Sequence, residues 1–186
     1  MPPKVKITKE ELVTASIELV RTEGEQALNA RSIASHLGCS TQPLFSNFAT
    51  MEQLRAAVSE RAEALFCQYI KDELSSGKYP PYKASGMAYI RFAREEKELF
   101  KLLYMRERTQ DEAKNGSELF DRSVEQVQSI IGMSAETAKL FHLEIWAFVH
   151  GIASMHATGF LSLEEELISK MVTDAYRGLK KHYETE

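Results

Sequence analysis

The chain has little of what disulfide-bonded, membrane-spanning or β-sheet proteins need. Its 186 residues include two cysteines, Cys39 and Cys67, without a CxxC spacing, and a disulfide framework or structural zinc site needs more. Five prolines and nine glycines are few, and most fall between apolar periodic runs. No apolar run approaches the roughly 18 residues that suggest a membrane span. The start, Met1 to Lys6, lacks the apolar core of a secretory signal. No period-2 alternation of useful length marks a strand, and there is no internal repeat or low-complexity tract. His142, His150 and His156 are spaced by eight and six, not by the i, i+4 of a helical zinc pair. Glu144 and Glu164 to Glu166 make no paired inward carboxylates of di-metal type, and no Ser or Cys has a base beside it in sequence. No enzyme activity, metal or cofactor is therefore expected. What remains is an all-α, cytoplasmic chain, 44% apolar and 27% charged, enough for a packed core and ordinary for a soluble protein.

One further absence is local. The net charge is −4, yet no carboxylate occurs between Glu25 and Glu52. That segment reads as two short helices joined by a tight turn. Asn29 can cap the first, its side-chain oxygen accepting an unpaired N–H at the helix start. Ile33, Ala34 and Leu37 share one apolar face, and Gly38 stands where a left-handed residue ends a helix. Ser40 is expected to cap the second helix. Pro43 sits in its first turn, where a missing N–H removes nothing the helix uses. Leu44 and Phe48 pack inward, leaving Thr41, Gln42, Phe45, Ser46 and Asn47 facing out. This is the helix-turn-helix pattern, whose second helix enters the DNA major groove. Gln and Asn can pair with adenine, Ser and Thr reach several base edges, and an exposed Phe can touch a thymine methyl. Arg31, with Lys4 and Lys6 on the N-terminal arm, suits phosphate. Backbone amides near Thr50, where the next helix opens, suit another. An ordinary surface hairpin and a solubilising tail are the plainer readings.

The rest of the chain is read in order. Thr8-Lys-Glu-Glu11 and Thr50-Met-Glu-Gln53 are capping boxes. They open a first helix ending at Gly24 and a long one running to about Ser75. Arg106 to Gly116 reads as a polar loop, with Ser117 capping the helix beyond it. Ser134 opens the most apolar helix, expected to be buried on every side because it is apolar almost all round. Ala147, Gly151 and Ser154, continued by Thr158, form a ridge of small residues along it. A mid-helix Gly costs about 1 kcal/mol against Ala, which close approach of another helix can offset. Ser162-Leu-Glu-Glu165 is a third capping box, opening a last helix whose stripe includes Leu167, Met171 and Ala175. These two helices carry more apolar surface than one body covers, so Ala147, Gly151, Ser154, Leu167, Met171 and Ala175 are the expected interface with a second copy. Tyr69, Tyr82, Tyr89, Phe92, Phe100, Tyr104, Phe120, Trp146 and His150 can line an apolar ligand pocket. For any one of them taken singly, plain core packing is the better account. The excess of body carboxylates favours a cationic ligand over an anionic one.

The helix-turn-helix ending Leu44-Phe45-Ser46-Asn47-Phe48, followed by Met51-Glu-Gln-Leu54 at the start of a long fourth helix, resembles the TetR family of bacterial transcriptional regulators. The head pattern covers about residues 8–58. The family usually has Tyr at Phe45 and Lys at Met51, both contacting phosphate, and often His at Asn47. Trp146-x-x-x-His150-Gly151 is similar to the Trp-His-Gly signature of one class of TetR C-terminal domains. The resemblance implies that the last two helices pair with their symmetry mates as a four-helix interface.

The expected architecture is a three-helix helix-turn-helix head over residues 1–50 on a larger helical ligand-binding and dimerisation body over 51–186. The expected partners are a double-stranded DNA operator, a second copy of the chain and a small-molecule effector of unknown identity, with no membrane. The rival is a helical small-molecule-binding protein or enzyme whose head no longer binds DNA, for which Phe45 and Met51 speak.

Overall fold

The computed structural model describes residues 7–106 and 110–184. The helices are α1 (Lys9–Glu23), α2 (Ala30–His36), α3 (Gln42–Asn47), α4 (Met51–Ser76), α5 (Pro81–Glu95), α6 (Lys97–Tyr104), α7 (Gln110–Ile131), α8 (Ala135–Thr158) and α9 (Glu165–Glu184), with a 3-10 turn at Glu25–Ala27. No strand occurs among the described residues, so the chain is all-α.

The helices pack into two compact units. One takes the chain up to Gln68 together with Glu96–Met105; the other takes Tyr69–Glu95 and the chain from Arg106 onward. The first unit therefore reaches beyond residue 50, to the N-terminal part of α4 and to α6. Its start is fixed by the Thr8 capping box, with both halves formed. Asn29 caps α2 by accepting from Ser32 N–H at 3.0 Å. The α2–α3 turn is a Schellman closure: Gly38 takes φ +62°, Cys39 N–H donates to Ala34 O at 2.9 Å and Gly38 N–H to Ser35 O at 3.1 Å. Ser40 does not cap α3. Thr41 takes the N-cap position with helical backbone and no side-chain bond, so α3 begins one residue later than Ser40 would start it. Leu12, Ile33, Leu44, Phe48 and Leu54 are buried together at 2% exposure or less. Arg21 grips Glu96 with two bonds, Nε to Oε2 at 2.8 Å and Nη2 to Oε1 at 2.7 Å. Glu96 stands at the N-cap of α6 but makes no side-chain cap bond; its carboxylate serves Arg21 instead.

In the second unit α5 packs most heavily on α8, with α7 and α9 against α8 as well. Ala84 and Ala88 of α5 and Ala138 and Ala153 of α8 are fully buried, and such small side chains let helix axes approach. Two polar bonds cross this seam. Tyr82 hydroxyl meets His142 Nδ1 at 2.8 Å, and Tyr89 hydroxyl meets His150 Nδ1 at 2.9 Å. The pairs lie two turns apart in the same order on both helices, so α5 and α8 run parallel. Two boundaries differ from the sequence expectation. Helix α7 begins at Gln110, so much of the polar stretch before Ser117 is helical. Helix α9 begins at Glu165, leaving Ser162 outside it; the Glu165 carboxylate accepts from Lys78 Nζ at 2.5 Å rather than closing a box.

Burial holds His142 below the ordinary histidine value of 6.5. Burial, then neighbouring Tyr176, pushes the Tyr82 hydroxyl well up. The pair is thus a neutral ring and a neutral phenol sharing one hydrogen bond. A histidine depressed in the folded state leaves that state binding fewer protons. Its contribution is full above pH 6.5 and is lost as pH falls through the folded value. We expect the stability gap between wild type and His142→Gln to shrink from pH about 7 to about 5 in urea titrations; a gap that widens on acidification would show a charged His142.

Candidate functional site

The first unit presents one polar face. Gln42, Phe45, Ser46 and Asn47 are exposed on α3, with Ser40 exposed and Thr41 half-buried ahead of it; Phe45 is 51% exposed. Their chemistry differs. Ser46 Oγ donates back to Gln42 O at 2.9 Å. Asn47 Nδ2 donates to Pro43 O at 2.8 Å and to Ile7 O at 3.2 Å. Its amide therefore ties the segment before α1 to α3, a long-range bond that nothing local in the sequence marks. Ser40, Thr41 and Gln42 make no side-chain bond among the described residues, so their donors and acceptors are available to a partner. Lys4 and Lys6 lie outside the described residues.

The arginines of this unit sort by partner. Arg21 is held by Glu96, Arg55 by Glu25 and by Leu28 O at 2.9 Å, and Arg61 by Glu10. Arg31, exposed on α2, has no partner among the described residues. Lys9 Nζ lies 5.0 Å from the Phe48 ring centroid. At the start of α4 Thr50 Oγ1 accepts from Gln53 N–H at 3.3 Å, and Gln53 Oε1 accepts from Ala49 N–H at 2.9 Å. Glu52 is held below the usual carboxylate range by its own backbone N–H and then the Thr50 hydroxyl. The first turn of α4, expected to offer amides to a phosphate, thus already has an internal carboxylate.

The expected pocket residues fall in both units. Phe100 and Tyr104 belong to the first unit, where Tyr104 packs against Phe66 and Phe100 at 6.0 and 5.2 Å between centroids. In the second unit Tyr69 donates to Glu95 at 3.0 Å, sets its edge against Phe92 at 5.3 Å and carries Arg91 over its ring at 4.9 Å. Phe120 lies 4.9 Å from the His142 ring, beside Tyr82. Trp146 stacks on His150 at 5.1 Å and 16°, which joins it to Tyr89. The hydroxyls of Tyr69, Tyr82 and Tyr89 therefore have internal partners, as buried phenols require. None of the nine residues lines the small crevice between Glu73, Met87, Ile90, Arg91, Arg94, Glu165 and Ile168. There Arg91 Nη1 pairs with buried Glu73 at 3.2 Å. No group of three metal-ligating side chains occurs among the described residues, and no described helix is long and apolar enough to cross a membrane.

Helix α8 is not buried on every side. Leu140, Leu143 and Trp146 are 48%, 44% and 41% exposed. Beside them Ala147 is exposed, and Gly151 and Ser154 are half-buried. A Cβ at Gly151 would meet nothing within 4 Å, so its glycine is not explained by packing within this chain. On α9 Leu167 is 47% exposed, with Met171 and Ala175 half-buried.

The family model of the tetracyclin repressor-like C-terminal domain matches residues 82–175, just over half of the chain. A TetR-like transcriptional regulator from Rhodococcus sp. RHA1 is similar in structure, with TM-score 0.72 at 17% identity over 96% of this chain and 98% of its own. A protein with unknown function from the same organism gives TM-score 0.72 at 19% identity over 98% of this chain and 99% of its own. NalD of Pseudomonas aeruginosa, the secondary repressor of the MexAB-OprM multidrug efflux pump, gives TM-score 0.57 at 14% identity over 91% of this chain and 94% of its own. No curated protein matches the chain. At such identities the solved structures speak for the fold, and the domain match speaks for descent: the chain belongs to the TetR family of transcriptional regulators.

Proposed function

We propose that the chain is a homodimeric, ligand-responsive DNA-binding regulator, a repressor that a small, mostly apolar effector releases from its operator. The observation that carries this reading is the outward face of α3. Gln42 and Phe45 stand exposed there, and the acid-free segment around them holds Arg31, the arginine of its unit without a carboxylate partner among the described residues. Gln42 suits an adenine edge, Phe45 a thymine methyl and Arg31 a phosphate. Repression is what NalD's name states of NalD; we extend the kind of activity, not the target. The partly exposed small-residue ridge of α8, with Leu167, Met171 and Ala175 of α9, suits a second copy. A two-fold pair would place two α3 helices on one face of a duplex. An effector that binds better to one spacing of those helices shifts the population away from the DNA-competent form.

A second reading, a ligand-binding protein whose head no longer grips DNA, is favoured by Asn47 bound to backbone and by Glu52 at the start of α4. Mobility shifts on DNA upstream of the coding region, over a salt series, separate the two. We expect a negative but shallow dependence of log K on log salt, because few cations are available. Gln42→Ala should cost about 1–3 kcal/mol at the preferred site and relax base preference there, whereas Arg31→Ala should weaken all sequences evenly. Failure to shift any genomic fragment at low salt would leave the second reading standing.

The interface has its own test. Gly151→Leu meets open space within one chain, so the variant should fold. Against a partner helix it should clash, and sedimentation should then find monomers where the wild type is a dimer. Wild-type protein sedimenting as a monomer, or a variant that remains a dimer, would remove the ridge from the interface.

A further inference from the structure

Helix α9 carries Ser169, Thr173 and Arg177 four residues apart on one stripe, and Lys83 of α5 meets that stripe. Lys83 Nζ donates to Ser169 Oγ at 2.7 Å and to Thr173 Oγ1 at 2.8 Å. It stands 4.6 Å from the Tyr79 ring centroid, and Lys78 Nζ stands 5.2 Å from the same centroid. Among the described residues no carboxylate pairs with Lys83. Burial, then the charges of Arg177 and Lys78, holds its ammonium below the ordinary lysine value. The one acid in the group, Glu165, is engaged by Lys78 Nζ at 2.5 Å and by the Tyr79 hydroxyl at 3.3 Å. Arg94, whose charge also acts on Glu165, is offset by its pairing with Glu95; Lys78, Lys83 and Arg177 against Glu165 then leave a local excess of two positive charges in a chain whose net charge is −4. Like charges gathered in this way repel unless something offsets them.

The unused capacity is all of one kind. Thr173 donates its proton to Ser169 O at 2.8 Å, so toward Lys83 it only accepts. Ser169 Oγ accepts from Lys83 and can still donate its own proton. Lys83 has a third N–H, and Arg177 is exposed with no partner among the described residues. Lys83 and Ser169 are bonded to each other, and Arg177, close enough for its charge to act on Lys83, adds a second cationic donor.

We propose that this seam between α5 and α9 binds a phosphate group, either free or carried on a small metabolite. Lys83 serves as the compact charge, Arg177 as the planar fork and Ser169 as the neutral donor, with Lys78 adding to the field. A dianion balances the excess; a carboxylate would leave half of it. The total excess of acids, which favours a cationic ligand for the body, is overruled here by the local count. The site is independent of α3, of the α8 ridge and of any effector, so it stands or falls separately from the regulatory reading.

The test is calorimetric titration of the full-length protein with inorganic phosphate and with glycerol 3-phosphate, each against potassium chloride at matched ionic strength. Saturable binding near one per chain is expected for at least one phosphate and none for chloride. Binding of both shows that the group itself is recognised; binding of one identifies the free or the carried form. Lys83→Met and Arg177→Met should each weaken binding by about tenfold or more, and Lys97→Met should leave it unchanged. Lys83→Met also removes two bonds to α9, so Arg177→Met, which removes none, is the cleaner variant. Absence of saturable binding by either phosphate, or binding that survives in Arg177→Met, would overturn the proposal.

Discussion

Gly38 carries the backbone at φ +62° between α2 and α3, and the direction of every outward group on α3 follows from that residue. An L-side chain there would cost about 1–2 kcal/mol. The amides of Gly38 and Cys39 close on Ser35 and Ala34 carbonyls, which leaves the turn little freedom. Leu44 and Phe48, 1% and 2% exposed, then fix the rotation of α3 about its own axis. Gln42 and Phe45 face solvent because the positions between them and the core are taken. Asn47 adds a constraint from outside the motif, since its bond to Ile7 O fixes where the chain preceding α1 leaves α3. A surface that reads DNA needs this sort of rigidity, because base edges are distinguished by donors and acceptors held in register.

The second unit solves a different problem with equally few parts. Buried alanines bring α5 and α8 together, and a Cβ on Gly86 would already touch Val149 Cγ2 at 3.5 Å. Tyr82–His142 and Tyr89–His150 then set the register. Sliding either helix by one turn would break both bonds, and a buried polar group left without a partner costs about 1–3 kcal/mol. The register in turn decides what α8 shows outward. Trp146 lies flat on His150, and Ala147, Gly151 and Ser154 are left exposed or half-buried. The outward ridge is thus a consequence of the inward seam.

Local signals are the legible part of this chain. Thr8, Asn29, Gly38 and Ser134 each behave as their sequence context dictates, because a cap is decided within four residues. Ser40 and Ser162 show the limit: each is a capping-type residue near a helix start, yet the helix begins elsewhere. The start of α7 is hidden because a polar helix has no apolar period before its partner is known. Grouping is less legible. Phe100 and Tyr104 have the composition of pocket residues yet pack on each other, with Phe66 against Tyr104, and Arg21 binds a glutamate 75 positions away. The two Tyr–His pairs are visible in principle, as spacings of seven on α5 and eight on α8 that match after two turns. Recognising them requires knowing that those helices touch.

The proposed arrangement is that two copies of the helix-turn-helix meet one duplex on the same face; the polar face of α3, Arg31 beside it and the partly exposed ridge of α8 support it. Hydroxyl-radical footprinting of an operator fragment measures this directly. Two protected patches are expected on one face of the DNA, related by a two-fold axis and separated by about one helical turn or a whole multiple of it. A single patch, or protection that follows the backbone evenly without symmetry, would contradict that arrangement.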